Sequence, residues 1–138
     1  MAGYSQTPLA RKLGIKDGFI IRLIHQPEYY FDLFIDLPEN ITVSTNKKIK
    51  KDLIHYFAEQ ARDMQRDMPA LKNEIKEDGV IWISWYKKAS KIPTDITEDV
   101  IRESALSNGL VDIKVCAIDV NWSGLKLVIP VKNRKVIK

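Results

Sequence analysis

Polar and aromatic residues that could bind a ligand follow several apolar segments of the chain. His25 comes directly after the apolar segment 19–24, and Trp85 with Lys87 and Lys88 ends a later one. If these segments are parallel strands, the residues that follow them meet at one edge of a sheet. Indole rings stack on planar or cationic groups, and lysines attract anions. This set predicts a site for a small anionic, planar ligand.

Two loops add further polar side chains to the same predicted edge. One loop follows Lys88, and the other connects the last two predicted strands. The predicted ligand-binding residues are His25, Trp85, Lys87, Lys88, Ser90, Thr94, Asp95, Asp119 and Trp122. Every open sheet presents polar loop residues at this edge, so a purely structural role for them is the alternative; Thr94 and Asp95 also fit a role as helix caps.

The chain contains few groups suited to catalysis or metal binding. Its one cysteine, Cys116, lies between Val115 and Ala117 in a predicted strand, which indicates an inert buried thiol. His25 and His55 are not accompanied by Cys or Glu at metal-ligand spacing, and His55 is predicted to be a core histidine. We predict neither catalytic residues nor a metal site, and the enzymatic alternative is a transferase that uses His25 or Asp119 as a base.

Composition limits the class of protein. The 138 residues suit one domain, and 45% hydrophobic with 29% charged residues argues against disorder. The net charge of +4 argues against nucleic-acid binding through bulk charge, although Lys47 to Lys51 and the C-terminal tail are locally basic. A nucleic-acid partner is therefore not expected, and a weak nucleic-acid-binding module is kept as an alternative.

The same counts bear on location. A single cysteine excludes an intrachain disulfide and fits a reducing compartment. No apolar run reaches the roughly 18 residues of a membrane helix, and the first twelve residues lack the apolar core of a signal peptide. These features predict a cytoplasmic protein without a membrane partner.

Local patterns predict alternating strands and helices. Thr7 as cap, Pro8 in the first turn and Gly14 after the end predict a short helix. Apolar residues from Phe57 to Ile75 have helical spacing, with Pro69 predicted to kink the helix or start a second one.

Further signals mark where the later helices begin and end. Asp78-Gly79 is predicted to end the helical region around Pro69, and Asp95 with Glu98 to form a capping box for the next helix. That helix is predicted to end at Asn108-Gly109.

The order of these elements predicts an α/β fold. Strands that alternate with helices favour a three-layer, Rossmann-like, mostly parallel sheet. The last two strands are joined by only six residues, 119–124, and must pair as an antiparallel hairpin. The connection between Ser44 and Asp52 is too short for a helix, so we expect an extended strap or a reversal. The predicted domain is 1–130, followed by a basic tail, 131–138.

Several segments resemble a small bacterial family that is catalogued as a domain of unknown function, number three thousand and fifty-two. The segments that carry this resemblance are Gly3-Tyr4-Ser5, Thr7 to Ala10, Leu13-Gly14-Ile15, Trp82 to Trp85 with Lys87-Lys88, Thr94 to Thr97, Gly109 to Ala117, and Trp122 to Lys126. Tyr86 stands where the family typically has proline, and Lys91 where a glycine is common.

The element order is also similar to the second half of the class I methyltransferase fold, with an abbreviated first half. That resemblance implies a glycine-rich turn after the first strand and an acid after the second, which hold S-adenosylmethionine. Here the turn is His25 to Tyr30, without glycine, and Thr45-Asn46-Lys47 follows the second strand. We therefore predict no cofactor. The predicted function is non-catalytic binding of a small anionic ligand or a protein partner, with a divergent methyltransferase-like enzyme as an alternative.

Overall fold

The computed structural model describes residues 7–134, which contain six β-strands and three α-helices. The elements are α1 (Leu9–Leu13), β1 (Ile20–Ile24), β2 (Thr42–Val43), β3 (Lys51–Phe57), α2 (Ala61–Glu74), β4 (Ile75–Tyr86), α3 (Glu98–Ser107), β5 (Val111–Ala117) and β6 (Trp122–Val128). Short 3-10 turns lie at Tyr30–Leu33, Lys88–Ser90 and Val131–Asn133. No helix in this part of the chain combines the length and the apolar character needed to span a bilayer.

The six strands form one sheet in the order β2-β1-β3-β4-β6-β5. Strands β1 to β4 run parallel, whereas β6 lies antiparallel between β4 and β5. This arrangement confirms the predicted mostly parallel sheet with a C-terminal antiparallel hairpin. The short turn before Trp122 reverses the chain because it has no room for a crossover helix.

Alternate side chains of the sheet enter two separate cores. Ile54 and Tyr56 belong to a core that also contains buried residues of α2 and α3, such as Met68 and Ile101. Residues of the opposite parity, such as Leu53, pack with α1. Since neighbouring residues of a strand point to opposite faces, helices cover both faces and the fold has three layers.

Helix α1 lies on one face of the sheet and ends as the sequence predicts. Gly14 has φ 80°, the left-handed conformation, and its N–H donates to the Ala10 carbonyl at 2.9 Å. The start differs from the prediction. Pro8 rather than Thr7 occupies the N-cap position, and the carboxylate of Asp36 accepts the N–H groups of Ala10 and Arg11 at 3.0 and 3.1 Å. A carboxylate distant in sequence thus replaces the local cap.

Helix α2 continues through Pro69 without interruption, so the predicted start of a second helix at Pro69 is wrong. Pro69 is exposed, so its ring lies on the solvent side of the helix. The predicted stop at Asp78-Gly79 is also wrong, because the chain becomes extended at Ile75 and continues as β4. A Cβ at Gly79 would lie 2.9 Å from the Lys51 carbonyl oxygen. Glycine is needed there for the close approach of two strands.

The cap of α3 also differs from the predicted capping box. Thr97 is the N-cap, and its hydroxyl accepts the Val100 N–H at 3.2 Å. Asp95 instead accepts the N–H of Ala61, at the start of α2, at 2.8 Å. Asp95 therefore connects the loop before α3 with the start of α2. The predicted end at Asn108-Gly109 is confirmed.

A strap, residues 44–50, connects β2 to β3 without a helix and contains one turn, in which the Ile49 N–H donates to the Asn46 carbonyl at 3.1 Å. Both strands are parallel to β1, so the predicted strap is observed rather than a reversal. The strap ends at Lys51, which is fully buried and whose ammonium donates to the Ile49 carbonyl at 2.8 Å and pairs with Glu74 at 2.8 Å. Arg22 binds the other oxygen of Glu74 at 2.6 Å. One member of the basic cluster Lys47 to Lys51 is thus an internal anchor.

Candidate functional site

Three adjoining clefts lie at the edge where β1, β3 and β4 end, which we call the rim. The first, the Trp85 cleft, has a volume of about 560 Å3. Its lining includes Trp85, Tyr86, Lys87, Lys88, Thr94 and the first turn of α3. It therefore brings together the predicted site residues Trp85, Lys87 and Lys88 and adds Tyr86, which the sequence did not predict.

The second cleft, the Glu59 cleft, has a volume of about 640 Å3 and shares Tyr86 and Thr94 with the Trp85 cleft. Its lining adds Glu59, Arg62 and Asp95. The loop that carries Thr94 thus lies between the two clefts.

The third cleft, the His25 cleft, has a volume of about 240 Å3. It is lined by His25, Tyr56, Glu59, Gln60 and Asp63, and it adjoins the Glu59 cleft through Glu59 and Gln60. The structure therefore places His25 at the same rim as Trp85, but at the opposite end of the row of clefts.

His25 lies at the sharp turn after β1, where its φ of 57° is left-handed. Its ring contacts the edge of Tyr56, with centroids 5.7 Å apart. The Tyr56 hydroxyl donates to Asp67 at 2.6 Å, and burial together with that carboxylate raises the pKa of Tyr56. The phenol is therefore a neutral wall of the His25 cleft.

Ser90 and Thr94 form hydrogen bonds that shape the loop between β4 and α3. The Ser90 hydroxyl donates to the Lys87 carbonyl at 2.7 Å and accepts the Ile92 N–H at 3.2 Å. The Thr94 hydroxyl donates to the Glu59 carbonyl at 2.9 Å. Lys91 has a left-handed φ of 61°, at the position where glycine is common in the resembling family. These contacts hold the wall between the two larger clefts.

Asp119 and Trp122 build the turn between β5 and β6. One oxygen of Asp119 accepts the N–H groups of Asn121 and Trp122, each at 2.8 Å. Trp122 is 4% exposed and lies between Tyr86, stacked at 4.0 Å, and the edge of Phe57, at 4.9 Å. Both residues support the floor of the rim from the hairpin.

The two tryptophans of β4 have different environments, one in the core and one at the rim. Trp82 is completely buried, and its indole N–H donates to the Leu13 carbonyl at 2.9 Å. Trp85 is half-buried, packs partly on the α2–α3 core and lines the cleft. Of these two tryptophans, only Trp85 therefore offers ring surface to a ligand.

A buried polar chain links β3 to β4 behind the rim. The Nδ1 of His55 lies 2.9 Å from the Tyr30 hydroxyl, and its Nε2 lies 2.6 Å from the Ser84 hydroxyl. Burial lowers the pKa of His55 to about 3, so the ring is neutral and one nitrogen donates while the other accepts. The prediction of a core histidine is confirmed. Ser84 is fully buried as well, so the Ser–His pair is structural.

The methyltransferase resemblance implies a site for S-adenosylmethionine, and the residues present do not fit it. The turn after β1 carries the His25 side chain where a glycine would let the backbone approach the cofactor. Strand β2 ends near the beginning of β1, since its last residue, Val43, is the partner of Ile21 and the Ser44 N–H donates to the Ile21 carbonyl at 2.9 Å. The residues after β2 therefore do not reach the rim, where the ribose-binding acid is expected.

Within residues 7–134, no group of three His, Cys, Asp or Glu side chains is arranged to hold a metal ion. Cys116 is half-buried in β5, and burial raises the pKa of its thiol despite three nearby lysines. The Cys116 thiol therefore ionises, and becomes nucleophilic, at a higher pH than an exposed cysteine would.

Solved structures of methyltransferases share the fold of the chain. A protein assigned as a type 11 methyltransferase from Sulfolobus solfataricus has a TM-score of 0.62 at 16% identity, with 94% of this chain and 91% of that chain covered. Ribosomal protein L11 methylase from Lactobacillus delbrueckii subsp. bulgaricus has a TM-score of 0.55 at 13% identity, with 91% and 74% covered.

Magnesium protoporphyrin IX methyltransferase from Synechocystis PCC 6803 has a TM-score of 0.56 at 13% identity, with 83% of this chain and 75% of that chain covered. At these identities the likeness shows the fold alone. No curated protein matches the sequence significantly. A family model described as "Protein of unknown function (DUF3052)" matches residues 10–131, and the chain belongs to this family.

Proposed function

We propose that the protein binds a small anionic ligand with a planar group in the Trp85 cleft, without catalysing its conversion. The observation that carries this proposal is the junction of Trp85 and Tyr86 with Lys87 and Lys88 in one cleft of about 560 Å3. This volume is within the usual range for small-molecule sites. The aromatic walls would hold the planar part, and the lysines would neutralise the anionic part.

The two acidic side chains of this cleft repel an anion less than two unpaired carboxylates would. Glu98 and Asp99 both line the cleft and both bind Arg102, with the Asp99 contact at 2.6 Å. Their charge is thus partly neutralised by a guanidinium on the same helix. Lys87 and Lys88 are the cationic side chains that line this cleft.

Five of the other predicted site residues have a positioning role in this proposal, whereas His25 lies in a different cleft. Ser90 and Thr94 fix the loop, Asp95 fixes the start of α2, and Asp119 and Trp122 fix the floor. A hydroxyl or carboxylate already engaged with backbone groups is a poor choice for chemistry at a substrate. This supports a binding role in preference to catalysis.

Adenine nucleotides test the proposal, because they combine a planar base with phosphate charge. We expect millimolar ATP or acetyl-coenzyme A to raise the melting temperature, and the Lys87→Gln/Lys88→Gln variant to lose that rise. The matched control is Lys47→Gln/Lys48→Gln, which changes two exposed lysines of the strap. Absence of any shift, or an equal shift in the rim variant, would contradict the proposal.

The fold favours a second candidate, a divergent methyltransferase. Its support is the similarity to methyltransferase structures over most of the chain. Two observations oppose it. The turn after β1 carries the His25 side chain where the cofactor site needs glycine, and β2 ends before it reaches the rim. S-adenosylmethionine discriminates the two candidates: stabilisation by this compound and not by ATP would favour the methyltransferase.

A further inference from the structure

Four lysines converge on one face of the β5–β6 hairpin, away from the rim. Lys114 and Lys126 are direct partners across the antiparallel pair. Lys12 of α1 reaches the same hairpin, its ammonium donating to the Ala117 carbonyl at 3.2 Å, and the Lys114 ammonium lies 3.5 Å from the Lys12 carbonyl. Lys16 is close enough to act electrostatically on Lys126. We call these four residues the β5–β6 lysine cluster.

This arrangement is unfavourable for folding. Like charges that face each other directly across two strands destabilise a sheet. Burial lowers the pKa of Lys126, and the charges of Lys114 and Lys16 lower it further. Between residues 7 and 134, none of the four lysines forms an ion pair with a carboxylate. The repulsion therefore has no acidic counterpart in the described structure.

A cleft of about 420 Å3 lies at the same place. Arg11, Lys12 and Lys114 line it together with Cys116 and Ala117. Two members of the cluster, Lys12 and Lys114, thus line a space that is large enough for a small anion, with Arg11 beside them, whereas Lys16 and Lys126 lie outside its lining. Arg11 and Lys12 belong to α1, whereas Trp85 packs on the α2–α3 core at the opposite face of the sheet, so this cleft is separate from the Trp85 cleft.

We propose that the β5–β6 lysine cluster binds the phosphate groups of a phosphorylated small molecule. Phosphate would satisfy several ammonium groups at once and relieve the cross-strand repulsion. The compact shape favours a small molecule over a nucleic acid, whose phosphates are usually met by a basic stripe. This site is independent of the Trp85 cleft.

Pyrophosphate is the probe for this site. In NMR titrations of the full chain, we expect saturable shifts of backbone amides in β5, β6 and the end of α1. The Lys114→Gln/Lys126→Gln variant is expected to bind about tenfold more weakly, whereas Lys47→Gln/Lys48→Gln, which changes two exposed lysines of the strap, binds as the wild type does. Since removal of the facing charges relieves repulsion, the first variant should melt at or above the wild-type temperature.

Cys116 provides a second, independent readout, because it lines the cleft and is the chain's one cysteine. We expect the ratio of alkylation rates by anionic iodoacetate and neutral iodoacetamide to fall in the Lys114→Gln/Lys126→Gln variant. Pyrophosphate should slow alkylation by iodoacetamide in the wild type and not in that variant.

Three results with pyrophosphate and one with DNA would overturn the proposal. The three pyrophosphate results are the absence of saturable shifts at the hairpin, equal pyrophosphate binding by the Lys114→Gln/Lys126→Gln variant, and shifts confined to the rim. A short DNA oligonucleotide that binds at the hairpin when pyrophosphate does not would also overturn it, and would assign the cluster to a nucleic-acid backbone.

Discussion

The ring of Tyr86 stacks on that of Trp122, with centroids 4.0 Å apart and planes inclined by 27°. The two residues are direct partners across β4 and β6. Tyr86 lines both of the larger clefts, while Trp122 is 4% exposed beneath it. The antiparallel hairpin therefore supplies the support on which an aromatic wall of the rim rests.

Truncation of Trp122 should destabilise the whole fold. Trp122→Ala removes the contacts with Tyr86 and Phe57 and leaves a cavity, so we expect a loss of about 3–5 kcal/mol in the free energy of unfolding. Urea denaturation measures it. Trp122→Phe is the control and should lose less, since it keeps an aromatic ring. A Trp122→Ala variant as stable as the wild type would show that the stack contributes little.

Asp95 should act on stability through α2. Asp95→Ala removes the acceptor of the Ala61 N–H, and loss of such a cap costs about 1 kcal/mol. Asp95→Asn keeps an oxygen that can accept this bond and should be closer to the wild type. Thermal unfolding of the two variants checks the expectation. If the alanine and asparagine variants melt together, the hydrogen bond is not the cause.

The buried charges around Glu74 should be sensitive to the removal of one partner. Burial alone would raise the pKa of Glu74, but hydrogen bonds from Lys51 and Arg22 outweigh it and hold that pKa below its ordinary value. Lys51→Met leaves the carboxylate with one cation, and breaking a buried pair in this way costs about 3–5 kcal/mol.

A matched lysine of the same strap controls for the loss of charge. Lys48 is exposed, so Lys48→Met should change the free energy of unfolding by about 0.5 kcal/mol or less. Urea denaturation of both variants provides the comparison. Equal effects at the two positions would contradict the anchoring role of Lys51.

His55 should make stability depend on pH in a defined direction. Its pKa falls from 6.5 to about 3 on folding, so between these values the unfolded chain takes up a proton that the folded chain does not. Its contribution is constant above about pH 6.5 and decreases as the pH falls toward 3, by up to about 1.4 kcal/mol per pH unit. NMR signals of the imidazole ring, followed as the pH is changed, measure the pKa of His55 in the folded protein directly. Titration of His55 near its ordinary pKa in the folded protein would contradict this account.

The fold was predictable because its signals are local. The spacing of apolar residues indicates helices and strands, and Gly14 and Gly109 mark helix ends, without knowledge of the tertiary structure. The predictions were wrong where contacts between residues distant in the sequence determine how an element begins or ends. Asp36 caps α1 from 26 residues away from Ala10, and Gly79 allows close strand approach instead of ending a helix. Such contacts leave no spacing pattern in the sequence.

The rim was predictable for a different reason. Parallel strands bring their ends to one edge, so His25, Trp85 and Lys88 share it regardless of the loops between them. The separate clefts were not predictable, because they depend on hydrogen bonds of Ser90 and Thr94 within one loop. The lysine cluster on the hairpin was missed because the partnership of Lys114 and Lys126 follows from strand register.

The most direct test of ligand binding at the rim is an NMR titration of the full chain with ATP. The account predicts saturable shifts of the Trp85 indole N–H and of amides from Tyr86 to Asp99. It also predicts affinity weakened about tenfold in Lys87→Gln/Lys88→Gln and unchanged in Lys47→Gln/Lys48→Gln. Shifts that are absent from the Trp85 cleft, or confined to the β5–β6 lysine cluster, would contradict it.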